Sequence, residues 1–265
     1  MNIDLKGFTA IITGASSGMG LEMARELLSH GATVVITSRA GAKLDNAYNE
    51  LKKTGNTVYA IPMDVTDEES VNAAAEWFKK QFDHLDMLVN NAGVGSNAPG
   101  MESLPDDHRF YDIPVSAVRT IIETNLTGYF IVSSKFVPVM AKQGYGSLVY
   151  VSTSTNTTTR KGQLPYGPSK AGAEAMTAIM SDELFDLGVM VNVICPGGFT
   201  DTGMAGAGVK EYFKKNNIPI LKPTVMNKMI LFLASPKAKG LTGEKLIGKD
   251  FDEWLKSRDA SHKDF

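Results

Sequence analysis

Short apolar, β-branched runs alternate with stretches of helical period along most of this chain, and that alternation limits the fold more than any other feature. The runs lie at 8–13, 33–38, 57–63, 87–91, 147–152 and 189–195. They are apolar throughout rather than at every second residue, as in strands buried on both faces. Between them, helices are expected over 21–30, stopped by Gly31, over 43–53, and from a Thr66/Glu69 capping box through Phe82. Further helices are expected over 116–140, broken or bent near Pro138, and over 169–187. Strands separated by helices predict an α/β fold with a parallel sheet between two helical layers. A length of 265 residues allows two domains. The chain has no Pro/Ser-rich linker, repeat or low-complexity tract, so one domain over 1–265 is expected, with a polar tail over about 256–265.

Composition narrows the class. Apolar residues make up 43% and charged residues 21%, a balance that argues against general disorder. The net charge of −2 disfavours nucleic acid or an anionic membrane as partner. No apolar run approaches the ~18 residues of a membrane span. The single cysteine, Cys195, leaves no internal disulfide and fits a reducing compartment. With no secretory-signal pattern at the N-terminus, a cytoplasmic location is expected. His84, His108 and the other histidines have no ligand spacing, so no metal is expected.

Gly14, Ser16, Ser17, Gly18, Met19 and Gly20 lie between the first strand and the first helix. This is the context of a dinucleotide-binding turn and predicts a Rossmann-type, doubly wound sheet. Gly14 allows the sharp turn, Gly18 lets backbone approach a pyrophosphate, and Gly20 packs the helix on the sheet. The helix N-terminus offers its amides to the phosphates. The spacing is G-x-x-x-G-x-G rather than G-x-G-x-x-G. At the end of the second strand, an NAD site usually carries an acid for the ribose 2′-OH. Here Ser38 and Arg39 stand there. An arginine suits a 2′-phosphate, so NADP(H) is expected over NAD(H). Asp64, with Val65 after it, ends the third strand, where the carboxylate can meet the adenine edge or cap the next helix.

Tyr166 and Lys170 form Y-x-x-x-K at a helix start, on one face. A phenol with pKa ~10 is a poor acid–base partner near neutrality. A cation ~4 Å away, worth on the order of 4 kcal/mol at an effective dielectric of 20, is expected to move it toward 7.

The glycine turn, Asn90-Asn91-Ala92-Gly93, Asn125, the Tyr166/Lys170 pair and Pro196-Gly197 follow in this order. Together they resemble the short-chain dehydrogenase/reductase family over nearly the whole chain. The resemblance implies an enzyme that interconverts a carbonyl and a secondary alcohol. Tyr166 would be the general acid or base. Lys170 would lower its pKa and hold the nicotinamide ribose, and Asn125 would anchor a water linking Lys170 to solvent. Asn91, Ala92 and Gly93 would pass under the adenosine half, and Pro196 and Gly197 would lie beside the nicotinamide. The family commonly forms homotetramers or homodimers through its two long active-site helices.

Some positions depart from the family pattern. Its serine falls on Thr153 by counting back from Tyr166, or on Ser154 if the following loop is short, with Ser152 behind both. Gly198 is an extra residue before Phe199, so Thr200 or Thr202 would grip the carboxamide, with Thr202 preferred. The usual Asp-Gly-Gly ending is absent, and Phe251 and Trp254 stand near it, packing either on this chain or across a neighbouring subunit. The small-molecule substrate is expected to contact 94–114 and 204–219, with Met204 and Phe213 as apolar walls. Arg109, Phe110 and Tyr111 are expected in surface packing more than on substrate. Cys195 is expected to be buried and inert. Other readings of the same residues are a catalytically impaired NADP-binding sensor or scaffold, and a lyase or epimerase.

Overall fold

The computed structural model describes residues 3–95, 98–101, 104, 108–203, 211 and 213–261. The strands are β1 (Thr9–Thr13), β2 (Thr33–Ser38), β3 (Val58–Pro62), β4 (Met87–Asn90), β5 (Gly146–Val151), β6 (Val189–Cys195) and β7 (Lys245–Ile247). They form one parallel, seven-stranded sheet in the order β3-β2-β1-β4-β5-β6-β7. The chain order reverses between β1 and β4, which opens a crevice at their carboxyl ends.

The helices are α1 (Gly18–Ser29), α2 (Ala42–Lys52), α3 (Glu68–Gln81), α4 (Val115–Ile122), α5 (Gly128–Gln143), α6 (Thr155–Thr159), α7 (Tyr166–Phe185), α8 (Asn227–Leu233) and α9 (Phe251–Ser261). Neighbouring strand residues point to opposite faces, and each face has its own core. Ile12 packs with Met23, Leu27, Ile230 and Phe251. Ile11 packs with Phe78, Phe136 and Tyr150. This is why the strand runs are apolar throughout: both faces lie under helices. No described helix is long and apolar enough to cross a membrane.

The sequence expectations hold for the sheet and fail at some of its connections. α1 ends as expected, with Gly31 at φ +92° and its amide on Leu28 O at 2.9 Å. The Thr66/Glu69 capping box does not form. The Asp67 carboxylate accepts from the Glu69 and Ser70 amides instead, while the Thr66 hydroxyl donates to Asp64 Oδ1 at 2.8 Å. A carboxylate is favoured over a hydroxyl at a helix N-terminus because it adds charge complementarity to the hydrogen bonds. Nor does the long helix break at Pro138, which lies inside α5. Pro138 and Ser134 both face outward, so the carbonyl that loses its partner can meet water. The interruption comes earlier, as an i→i+5 turn at Glu123–Thr127 between α4 and α5. β7 was not expected, because three residues are too short for a periodic signal. The predicted polar tail is helical through Ser261. Phe251 is buried in this chain's own core, stacking on Trp254 at 5.5 Å and meeting Phe232 edge-on at 5.6 Å. Phe251 thus packs on this chain, with Trp254 partly buried beside it.

Candidate active site

The crevice begins where β1 runs out. Gly14 and Gly18 have φ of +65° and +60°, a region that L side chains rarely adopt. A Cβ on Gly14 would lie 2.6 Å from Ala92 Cα. A side chain on Gly20 would run into the Asn91 amide. The Thr13 hydroxyl accepts the Asn91 and Ala92 amides at 2.9 and 3.0 Å. In return, Asn91 Nδ2 donates to Thr13 O at 2.8 Å and to Gly14 O at 3.3 Å. The ends of β1 and β4 are thus sewn together with bare backbone facing outward. Ser17 is the α1 N-cap residue, but no side chain caps the helix. Its first amides, next to Ser16, Gly18 and Met19, therefore suit an external anion.

Past β2, Arg39 is exposed and makes no ion pair with a described residue. Ser38 donates its hydroxyl to Arg39 O at 3.2 Å. Asp64 is half-buried and holds Thr66 through both its amide and its hydroxyl, so it braces the connection rather than capping α3. Val65 is buried beneath Gly128, where a Cβ would come within 3.0 Å of Val65 Cγ2.

The i→i+5 turn places Asn125 fully inside the protein. Its amide accepts the Val94 N–H at 2.9 Å and donates to Val94 O at 2.8 Å and Ser169 Oγ at 3.0 Å. Ser169 in turn donates to Tyr166 O at 2.7 Å. The Asn125 side chain therefore clamps the β4 connection to the first turn of α7. Gly93 lies between them: a Cβ there would be 3.0 Å from Asn125 Oδ1 and 3.6 Å from Lys170 Nζ.

Tyr166 and Lys170 occupy successive turns of α7, as their spacing predicts. Lys170 Nζ donates to Tyr129 OH at 3.0 Å and to Val151 O at 2.9 Å. It lies 4.8 Å from the centre of the Tyr129 ring and 6.0 Å from that of Tyr166. Burial pulls the Lys170 ammonium down to about 7, with the Glu174 carboxylate pulling it back up. Burial pushes the Tyr166 phenol up to about 12, opposed by the Thr153 hydroxyl and helped by Cys195. The expectation that Lys170 lowers the phenol toward 7 is not met in this geometry. Desolvation acts on both groups and drives each toward its neutral form.

The Ser/Thr run divides by partner. Thr153 faces the Tyr166 hydroxyl. Ser154 Oγ pairs with Thr157 Oγ1 at 2.8 Å. Ser152 donates to Glu174 Oε1, which also holds Lys245 Nζ at 2.6 Å. Beyond β6, Pro196 is buried and Gly197 has φ +83°, with Lys249 N donating to Pro196 O at 3.1 Å. Phe199 stacks on Phe213 at 4.2 Å. Thr200 turns its hydroxyl onto Gly198 O, whereas Thr202 faces the glycine turn, 3.4 Å from a Cβ on Gly18. Met204 lies outside the described residues. Cys195 is buried, and burial pushes its thiol up to about 11, as an inert cysteine should be.

The family model for short chain dehydrogenases matches residues 8–212. The chain belongs to the short-chain dehydrogenase/reductase family. It is similar to the uncharacterized oxidoreductase YxjF of Bacillus subtilis, 31% identical over 90% of this chain and 95% of that protein. It is similar to the 3-oxoacyl-[acyl-carrier-protein] reductase FabG of Aquifex aeolicus, 32% identical over 92% and 96%. The crystal structure of a variant actinorhodin polyketide ketoreductase with NADPH covers 92% of this chain and 97% of its own, with TM-score 0.79 and 27% identity.

Within this dehydrogenase/reductase frame, the sequence reading passed over Thr13, Tyr129, Ser169 and Glu174. Glu174 had a signal, since Tyr166, Lys170 and Glu174 are spaced four apart on one helix face. One expected result concerns the turn itself. Gly14→Ala forces a side chain into left-handed backbone at a cost of about 1–2 kcal/mol before any contact with Ala92. The melting temperature should fall by several degrees, and NADPH affinity should fall with it. Calorimetry and a binding titration would show both, and an unchanged melting curve would contradict the role given to Gly14.

Proposed function

We propose that this oxidoreductase interconverts a small-molecule carbonyl and a secondary alcohol, with Tyr166 exchanging the proton and Thr153 holding the carbonyl oxygen. The observation that supports this reading most is the Thr153 hydroxyl against the half-buried Tyr166 phenol. The cofactor is NADP(H), and the site fits it. Gly14, Gly20 and Gly93 let the turn after β1 close against Ala92 and Asn91 and the β4 connection close against Asn125, with no side chain between them, and the first amides of α1 lack a side-chain cap. Gly14, Ser16, Ser17, Gly18, Met19 and Gly20 would hold the pyrophosphate. Ser38 and Arg39 would meet the 2′-phosphate, and Asp64 and Val65 the adenine. Asn91, Ala92, Gly93, Pro196, Gly197, Phe199 and Thr202 would line the remainder. When bound, the nicotinamide supplies or takes up a hydride at carbon.

In reduction, the carbonyl oxygen accepts hydrogen bonds from the Thr153 and Tyr166 hydroxyls, and the Tyr166 proton passes to it as negative charge develops. The phenol holds its proton up to about pH 12, so the donor form is present throughout the neutral range. Lys170 places positive charge near the phenolate that results. Asn125 keeps the Val94 connection and α7 in register.

A panel of ketones, aldehydes and secondary alcohols, followed by nicotinamide absorbance, tests the reaction. Turnover with NADPH or NADP is expected. Measurable NADPH binding with no redox change across the panel would favour a sensor instead. Arg39 has a separate expected result. A charge-assisted bond to the 2′-phosphate, worth ~1.5–3 kcal/mol, gives NADPH an advantage in kcat/KM of roughly 10- to 100-fold over NADH. Arg39→Asp should abolish or reverse it. A wild type that prefers NADH would remove the argument. We further read α5 and α7 as the pairing faces of a homotetramer or homodimer, because Phe130, Ile179 and Phe185 stand exposed on them.

A further inference from the structure

A cavity of about 490 Å³ opens beside the first turn of α7. One wall comes from the segment before α4 and carries Arg109 and Phe110. The other comes from α6 and the loop after it, carrying Arg160 and Lys161, and Pro168 of α7 closes one side. The cavity is joined to the catalytic turn by backbone. Gly167, next to Tyr166, donates its N–H to Gln163 O at 2.6 Å, and a Cβ on Gly167 would lie 2.6 Å from Thr158 O. The α6 side of its wall therefore rests directly on the helix start that carries the phenol.

Among the described residues, the charge lining this cavity is one-sided. Arg109, Arg160 and Lys161 line it, and no described Asp or Glu does. None of the three makes an ion pair with a described residue. The nearby Asp112 carboxylate is turned to the Arg109 backbone amide at 2.7 Å. Like charges gathered around a concave, partly apolar surface raise the local concentration of an anion. Arginine also offers two parallel donors that match a carboxylate or a phosphate.

We propose that this cavity is a substrate subsite for an anionic group, a carboxylate or a phosphate, on a molecule whose carbonyl lies at Thr153 and Tyr166. The subsite rests on the reductase reading above and names the class of its substrate: oxo acids and oxo phosphates rather than neutral ketones.

The test uses the NADPH-loaded enzyme and linear oxo-carboxylates of increasing length, each paired with its methyl ester, plus the matching oxo-alkyl phosphates. At one chain length or more, KM should be at least ~10-fold lower for the anion than for the ester. Whether carboxylate or phosphate gains more identifies the anion. Arg160→Glu with Lys161→Glu should erase that preference through KM and leave kcat on the ester unchanged, while Arg160→Lys should retain most of it. Both residues are exposed, and NADPH affinity serves as the control for folding. Equal KM values for anion and ester in the wild type would overturn the subsite, as would a preference that survives the double substitution. Calorimetric binding of the same pairs to the NADP-loaded protein separates the two proposals. Tighter binding of the anion without turnover would sink the reductase reading and support the subsite. Turnover of esters and acids alike would do the reverse.

Discussion

Tyr166→Phe is expected to lower kcat by at least ~10²-fold while leaving NADPH binding close to wild type. The substitution removes one hydroxyl and keeps the ring, so α7 should still start in the same place. What is lost is the proton donor and one of the two hydroxyls facing the carbonyl oxygen. Thr153 remains and would still bind that oxygen, so KM should change less than kcat. Single-turnover oxidation of NADPH with the best carbonyl of the panel would measure the loss. Near-normal turnover in the phenylalanine variant would mean that the proton comes from elsewhere and would remove Tyr166 from the chemistry.

Lys170→Met should produce the second large effect, and it has two readouts. Lys170 Nζ lies 6.0 Å from the centre of the Tyr166 ring, and a cation at about that separation interacts with a developing phenolate by about 3 kcal/mol at an effective dielectric of ~20. Turnover should therefore fall on the order of 10²-fold. The second readout is the stability of the cofactor-free protein. Lys170 titrates at about 7 in the folded chain. An unfolded lysine titrates near ~10.4. Between those values the unfolded chain binds more protons than the folded one, so wild-type stability rises with pH across that window. Below about pH 7 the wild type carries the whole cost of a buried ammonium, and methionine carries none. The difference in melting temperature, variant minus wild type, should be greatest below pH 7 and shrink toward pH 10. Tyr166 acts in a separate window, above ~10, and does so equally in both proteins. A difference that stays flat from pH 6 to 10 would show that Lys170 is not held near neutrality by burial.

The strands of this protein announce themselves because they are covered on both faces. Ile11 and Ile12 serve opposite cores, so both had to be apolar. The glycine turn, Asn91 and the Tyr166/Lys170 pair were equally readable, since each depends on close spacing along the chain. What escaped depends on contacts between distant residues. Lys245 reaches Glu174 across 71 positions, on an edge strand too short to have a period. Tyr129 looks like one more aromatic in an apolar helix until Lys170 is found donating to it. The choice between Thr153 and Ser154 could not be counted out, because it depends on which way the loop turns. In the structure Ser154 is engaged with Thr157. The direction of the shift at Tyr166 is not legible in the sequence for a different reason. The sequence shows a cation one helical turn away, but not that Lys170 is buried and the phenol partly so.

The i→i+5 turn at Glu123–Thr127 has one consequence for how the gene can change. Such a turn is an α-helix that has gained a residue without lengthening. Deleting one residue from it before Asn125 would let α4 and α5 join as a regular helix. The repair would turn everything upstream by about 100° about the axis. The buried side of α4, Ala117 and Ile121, would rotate into solvent. A single-codon loss here would thus yield a smoother helix and a broken enzyme. The irregularity sets the phase between α4 and the helix that carries Tyr129 to Lys170.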